Sequence, residues 1–97
     1  METLSVGRIV QYVLSQQDVD GIVVRRASGS RTGNPPMVGD VVPAIVVQPH
    51  PGKELSFNGQ AFLDGNDSLW LTSVPYSTES KPRTWHWPTK VYWPTKV

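Results

Sequence analysis

Proline and glycine interrupt this chain so often that mostly short secondary-structure elements fit between them. The 97 residues include nine prolines and eight glycines, and both residue types mark turns and element ends. A chain of this length forms one domain with a thin core. We therefore expect a single small β-rich domain over residues 1–88, followed by a tail at 89–97.

The strand pattern indicates the architecture. Segments rich in Val, Ile and aromatic residues are bounded by turn residues, which is typical of strands. The "DGND" stretch at 64–67 predicts a hairpin turn, because Asp, Gly and Asn tolerate positive φ. Four or five short strands predict a mainly β fold, a small partly open barrel of the SH3-like or OB-like kind. The strand segments are 7–15, 40–51, 57–65, 68–76 and, more briefly, 84–88.

The segment at 15–29 fits two structures. Ser15 is a suitable N-cap, Asp18 would lie in the first turn, and Gly29 would end a helix. The "DG" pair at 20–21, however, is a strong hairpin signal, and the β-branched residues at 22–24 prefer strands. The residues alone leave helix and hairpin open. The next segment, 28–40, is a loop and the place where disorder or an insertion is most expected.

Composition limits the possible partners. The chain has no cysteine and only two histidines, so a metal site is not expected. The formal net charge of +1 is unlike that of a general nucleic-acid binder. No apolar run approaches the ~18 residues of a membrane span, and the N-terminus does not have the pattern of a signal peptide. We expect a cytoplasmic protein that forms a homo-oligomer, because the core is small.

Catalytic motifs are not found. The serines lack a nucleophile elbow, and the "SGSRTG" stretch at 28–33 is not a phosphate-binding loop. Asp64 and Asp67 resemble a carboxylate pair, but the turn between two strands explains them better. The sequence therefore predicts a binding protein without a cofactor rather than an enzyme.

Aromatic and cationic residues are the candidate ligand contacts. Trp70 alternates with two leucines, which predicts that it lies partly exposed on the second face of its strand, a face that Thr72 and Tyr76 extend. There it could stack on a base, or it could be buried at a subunit interface. In "TWHWP", Trp85 and Trp87 share one face and His86 takes the other. If the tryptophans face inward they close the core; if His86 faces a pocket it can bind an anion. The full candidate set is Trp70, Trp85, His86, Arg25, Arg26, Asn66 and Tyr76.

Four segments carry a resemblance to a known group of proteins: "GRIVQYVLSQQDV", "GDVVPAIVV", "NGQAFLDGNDSLWLTSV" and "TWHWP". In this order they resemble a family of small proteins encoded by phages and prophages, especially those of actinobacteria. The resemblance implies a helix after the first strand, which favours the helical interpretation of 16–27. It implies a phage context but no known activity or functional residues.

The phage context suggests three functions. The first is an anti-defence sponge that sequesters a nucleotide immune signal in the cytoplasm of the infected host. The second is an accessory protein of virion structure or assembly, and the third is a regulator that binds single strands or proteins. The near-neutral charge favours a pocket for a compact anion, and hence the first function.

The end of the chain repeats itself. "WPTKV" occurs at 87–91 and again at 93–97. Chain ends tolerate additions, so we interpret the second copy as a passive duplication.

Overall fold

The protein is mainly β, as a computed structural model that describes residues 3–50 and 55–89 shows. Within the described residues, five strands form one sheet in the order β4-β3-β2-β1-β5, and each neighbouring pair is antiparallel. The predicted mainly β fold with one short helix after the first strand is confirmed. The elements are β1 (Ile9–Val13), α1 (Gln16–Ala27), β2 (Val41–Pro49), β3 (Phe57–Phe62), β4 (Ser68–Val74) and β5 (Trp85–His86).

The barrel is not closed, because the two edge strands β4 and β5 do not pair with each other along their length. A single parallel bridge, between Tyr76 and Trp85, connects β5 to the segment that follows β4. Two backbone bonds support this bridge: Ser77 donates to the carbonyl of Trp85 at 3.0 Å, and Trp85 donates to the carbonyl of Pro75 at 3.0 Å. The rest of β4 keeps a free edge.

The helical interpretation of 16–27 is confirmed, and a capping box explains why the hairpin does not form. The Ser15 hydroxyl accepts from the Asp18 N–H at 3.2 Å, and the Asp18 carboxylate accepts from the Ser15 N–H at 2.9 Å. These bonds satisfy two backbone donors at the helix start. Ile22 is fully buried against the sheet, so tertiary packing adds to the cap and outweighs the "DG" turn signal.

The core lies between the sheet and α1, where Ile22 of the helix packs with the buried strand residues. Trp85 is its largest side chain and is fully buried. The Trp85 indole N–H donates to the carbonyl of Leu55 at 2.7 Å, and the ring meets those of Phe57 and Trp87 edge to face. Trp85 and Trp87 therefore face inward, and His86 lies on the opposite face.

A bulge in β4 corrects one prediction about the strand faces. Phe57 pairs with Val74 and Gly59 with Leu71, so β4 has one more residue than β3 between these pairs. Ser73 lies at this bulge with a φ of 50°. The extra residue reverses the alternation, because each residue of a strand changes sides. Tyr76 therefore packs against the core and not on the Trp70 face, where simple alternation places it.

The loop at 28–40 is attached to the β3–β4 turn, which corrects the expectation of disorder there. Asn34 donates to the carbonyl of Asp64 and Asn66 donates to the carbonyl of Thr32, both at 2.9 Å. Gly33 and Gly65 form a bridge between these two backbone bonds. A Cβ at Gly33 would lie 2.2 Å from the Asp64 carbonyl oxygen, so only glycine permits this approach.

The turn at 64–67 connects two antiparallel strands, as predicted, but for a different reason. Its residues do not have positive φ angles, so conformational freedom does not explain Gly65. The close contact with Gly33 explains it instead.

The passive duplication inferred for the second "WPTKV", at 93–97, lies outside the described residues. Within the described ranges, no helix is long and apolar enough to cross a membrane.

Candidate ligand-binding groove

A groove of about 380 Å³ lies between α1 and the free edge of β4. Gln17, Gly21 and Arg25 form its helix wall, at intervals of four residues that place them on one face of α1. Trp70 and Thr72 of β4 form the opposite wall. We call this space the helix–strand groove; Tyr12 and Arg83 also line it.

Two arginines bind the free edge of β4. Arg25 Nη1 donates to the carbonyl of Ser68 at 3.2 Å, and Arg83 Nη2 donates to the carbonyl of Thr72 at 3.4 Å. Backbone groups of alternate residues in a strand point to the same side. The N–H and C=O of Trp70, midway between these residues, therefore also point away from β3 and towards the groove.

Trp70 lines the groove and is also the most exposed aromatic residue near it. Its side chain is 52% exposed, whereas the neighbouring Leu71 is buried and Leu69 is half-buried. This agrees with the predicted alternation, in which the leucines face the core. A tryptophan exposed to this extent at a groove offers a flat apolar surface to a planar ligand.

The charges in the groove are mainly positive. The guanidinium groups of Arg25 and Arg83 are cationic, and the carboxylate of Asp18 is occupied by hydrogen bonds from the Tyr12 hydroxyl and the Ser15 backbone. Burial, assisted by the hydrogen bond to Asp18, raises the pKa of Tyr12 well above its usual value. Tyr12 therefore stays a neutral donor to Asp18 at physiological pH. The groove is consequently suited to an anion.

Arg26 does not line the groove, because its guanidinium group binds Asp67 and the loop. Its Nε donates to Asp67 Oδ2 at 3.1 Å and its Nη2 to Asp67 Oδ1 at 2.9 Å, while its Nη1 donates to the carbonyl of Asn34 at 2.7 Å. The Asp67 side chain is fully buried. The hydrogen bond from Arg26 lowers the pKa of Asp67 despite burial, and the same bond raises the pKa of Arg26. Arg26 therefore joins the helix to the hairpin.

Asn66 also stabilises the loop. Its side-chain carbonyl accepts from the Thr32 N–H at 2.8 Å, and its amide nitrogen lies 3.4 Å from the carbonyl of Ser30. Both ends of the amide are thus used within the protein. Asn66 does not line the helix–strand groove.

The remaining predicted contacts lie away from the groove. Trp85 is completely buried, which removes it from the candidate ligand contacts. Tyr76 packs on Trp85, with ring centroids 4.9 Å apart. His86 is opposite Gln11 on β1, and His86 Nε2 lies 2.9 Å from the Gln11 side-chain oxygen. Only Trp70 and Arg25 of the predicted set are brought together in the groove.

Sequence reasoning did not assign most of the groove residues, and Gln17, Gly21 and Arg83 are the ones on which the geometry of the site depends. Gly21 had a signal, because glycine is unfavourable within a helix, but the segment was equally compatible with a hairpin. Gln17 had none. Arg83 could not be located, because its position depends on a turn with a φ of 68° and on backbone bonds to Val13, far away in sequence.

Comparisons with protein-family models, with curated proteins and with solved structures find no significant match. The resemblance to phage proteins therefore stays a prediction. Among residues 3–50 and 55–89, no three His, Asp or Glu side chains are grouped as metal ligands would be.

Proposed function

We propose that this protein is a non-catalytic binding domain whose helix–strand groove holds a small anionic ligand of the nucleotide type. The observation that carries the proposal is the position of Trp70 between Arg25 and Arg83. An exposed aromatic ring can stack on a base, and guanidinium groups match phosphate oxygens. Residues of both kinds line one groove.

The size of the groove supports a compact ligand. Ser68 and Thr72 are four residues apart, so the carbonyls held by Arg25 and Arg83 are separated by about 13 Å along the strand. The volume of about 380 Å³ lies near the lower end of the usual range for small-molecule sites. One or two nucleotides match this span better than a long strand of nucleic acid does.

The same arginines disfavour a peptide that pairs with β4. An added strand would have to form bonds with Ser68, Trp70 and Thr72 in turn. The carbonyls of Ser68 and Thr72 already accept from guanidinium groups. A peptide would have to displace both arginines from these carbonyls. A small ligand can instead bond to the one backbone position between them, that of Trp70.

The biological role follows from the phage resemblance. A non-catalytic nucleotide binder made by a phage would act as an anti-defence sponge, which sequesters an immune signal in the cytoplasm of the infected cell. Assembly into a homo-oligomer would add to the number of sites per particle.

The test is a titration of the purified protein by isothermal calorimetry with nucleoside monophosphates, cyclic mononucleotides and cyclic dinucleotides. We expect at least one of them to bind and Trp70→Ala to weaken its binding at least tenfold, because base stacking contributes about 1–3 kcal/mol. Phe62→Ala is the matched control, because Phe62 is also an exposed aromatic residue, at 46%, but does not line the groove.

Two results would overturn the proposal. One is the absence of binding for the whole set at millimolar concentration. The other is an equal loss of affinity in Trp70→Ala and Phe62→Ala, which would locate the binding outside the groove.

A further inference from the structure

Gly21 has no explanation in the fold. It lies within α1, where glycine is less favourable than alanine because it loses more backbone entropy. A Cβ built on Gly21 meets nothing within 4 Å, and its φ is not in the left-handed region. Neither close packing nor backbone conformation therefore requires glycine here.

The position of Gly21 in the groove is what distinguishes it. Gln17 precedes it by four residues and Arg25 follows it by four, so the three residues are neighbours on one helix face. All three line the helix–strand groove. Because the middle residue lacks a side chain, the helix wall has a notch between an amide and a guanidinium group.

We infer that this notch admits the flat ring of a nucleobase, so that the groove recognises the base and not only the phosphate. In this arrangement the ring lies between the backbone at Gly21 and the indole of Trp70. The N–H and C=O of Trp70 form an adjacent donor and acceptor for the polar edge of the base. The inference depends on the proposed function and adds Gly21 as the second wall of its base site.

The phosphate would then lie towards the arginines. Arg25 follows the notch by one helical turn, and its side chain is 35% exposed. Its Nη2 is buried at ion-pair distance from Asp67 Oδ2, 3.9 Å, so only the rest of the guanidinium group is available to a phosphate. Arg83 binds the edge of β4 at Thr72, on the other side of Trp70. A base at Trp70 thus has a guanidinium group on each side.

Two substitutions of Gly21 separate stability from binding. Gly21→Ala adds one methyl group in open space and improves helix propensity, so we expect the melting temperature to rise by roughly 4 °C. Gly21→Leu fills the notch and should weaken the binding of a base-bearing nucleotide at least tenfold. Val24→Leu is the control for added bulk, because Val24 is 66% exposed on α1 and does not line the groove.

The experiment compares three probes on each variant: the nucleoside monophosphates, ribose 5-phosphate and inorganic phosphate. We expect the wild type and Val24→Leu to prefer a nucleotide over the other two probes by at least tenfold, and Gly21→Leu to lose this preference while it keeps a native circular dichroism spectrum. If the wild type binds no nucleotide, the proposed function fails and this inference fails with it. If a nucleotide binds but Gly21→Leu binds it equally well, only the inference is overturned. If ribose 5-phosphate binds the wild type as tightly as a nucleotide does, the base adds nothing, and both the inference and the base stacking in the proposed function fail.

Discussion

Arg26 and Asp67 form a bidentate ion pair that connects the helix to the β3–β4 turn, with N···O distances of 3.1 and 2.9 Å. The residues are 41 positions apart in sequence. Because Asp67 is fully buried, its charge depends on this partner. The pair also fixes the end of α1 next to β4, and hence the width of the groove.

Asp67→Asn should lower the free energy of unfolding by roughly 2–3 kcal/mol at pH 7, because Arg26 loses its charged partner. The measurement is urea denaturation. Asp64→Asn is the matched control: Asp64 is exposed and bonds only the Asn34 side chain among the side chains described, at 3.0 Å, so a change within about 0.5 kcal/mol is expected. Equal losses in the two variants would contradict the account.

The pair of Arg26 and Asp67 also predicts how the stability changes with pH in the acid range. The pKa of Asp67 is lower in the folded protein than its usual value of about 3.9. The stability from this shift is therefore present above pH 4 and is lost as the pH falls through the folded pKa. We expect the stability difference between the wild type and Asp67→Asn to shrink from pH 5 to pH 2; a constant difference would show that Asp67 is not responsible.

Tyr12 gives a prediction on the alkaline side. Burial and the bond to Asp18 raise its pKa, so above pH 10 the unfolded chain releases the proton while the folded protein keeps it. Stability should then fall by about 1.4 kcal/mol for each pH unit above 10. Tyr12→Phe removes this contribution, so its stability should fall less steeply between pH 10 and 12. Equal slopes of stability against pH in the wild type and in Tyr12→Phe would contradict the burial of the Tyr12 hydroxyl.

Gly33→Ala tests the contact between the loop and the turn. A methyl group there would lie 2.2 Å from the Asp64 carbonyl and 2.9 Å from Arg26 Nη2. The backbones must separate, which should cost about 2 kcal/mol in a denaturation experiment. Gly29→Ala is the control, since its methyl group would meet only the Arg25 carbonyl, at an ordinary 3.5 Å. An unchanged stability of Gly33→Ala would show that the loop does not pack here.

Two tryptophans provide a matched comparison of core and surface. Trp85→Phe leaves a cavity and removes the bond to Leu55, so it should cost about 2 kcal/mol. Trp70→Phe changes an exposed side chain and should alter stability by less than about 0.5 kcal/mol. Thermal unfolding followed by circular dichroism checks both. A larger loss in Trp70→Phe would place Trp70 in the fold's core rather than at a binding surface.

Local features of the fold could be predicted from the sequence, because they depend on neighbouring residues. The strands and the exposure of Trp70 follow from alternation, and the cap at Ser15 follows from its spacing to Asp18. The face of Tyr76 could not be predicted, since it depends on a bulge at Ser73 that follows from pairing with β3. A local pattern does not report strand register.

The candidate site was harder to predict, because it is built from distant segments. Arg25 and Arg26 are adjacent and chemically identical, and both approach Asp67, yet only Arg25 lines the groove while Arg26 makes the two hydrogen bonds to the Asp67 carboxylate. Their separation depends on helix phase relative to β4, which requires the tertiary structure. Arg83 enters the groove from a turn after β4, and its sequence context contains no signal for that position.

The most direct test of the central claim is native mass spectrometry of the protein, purified from host cells with and without an active nucleotide-signalling defence. The account predicts a species that carries the extra mass of a nucleotide only from signalling cells, and the loss of that mass in Trp70→Ala but not in Phe62→Ala. The same spectrum reports the oligomeric state. A ligand-free protein from both kinds of cell would contradict the claim and would favour a role in virion assembly or as a regulator that binds a protein or a single strand.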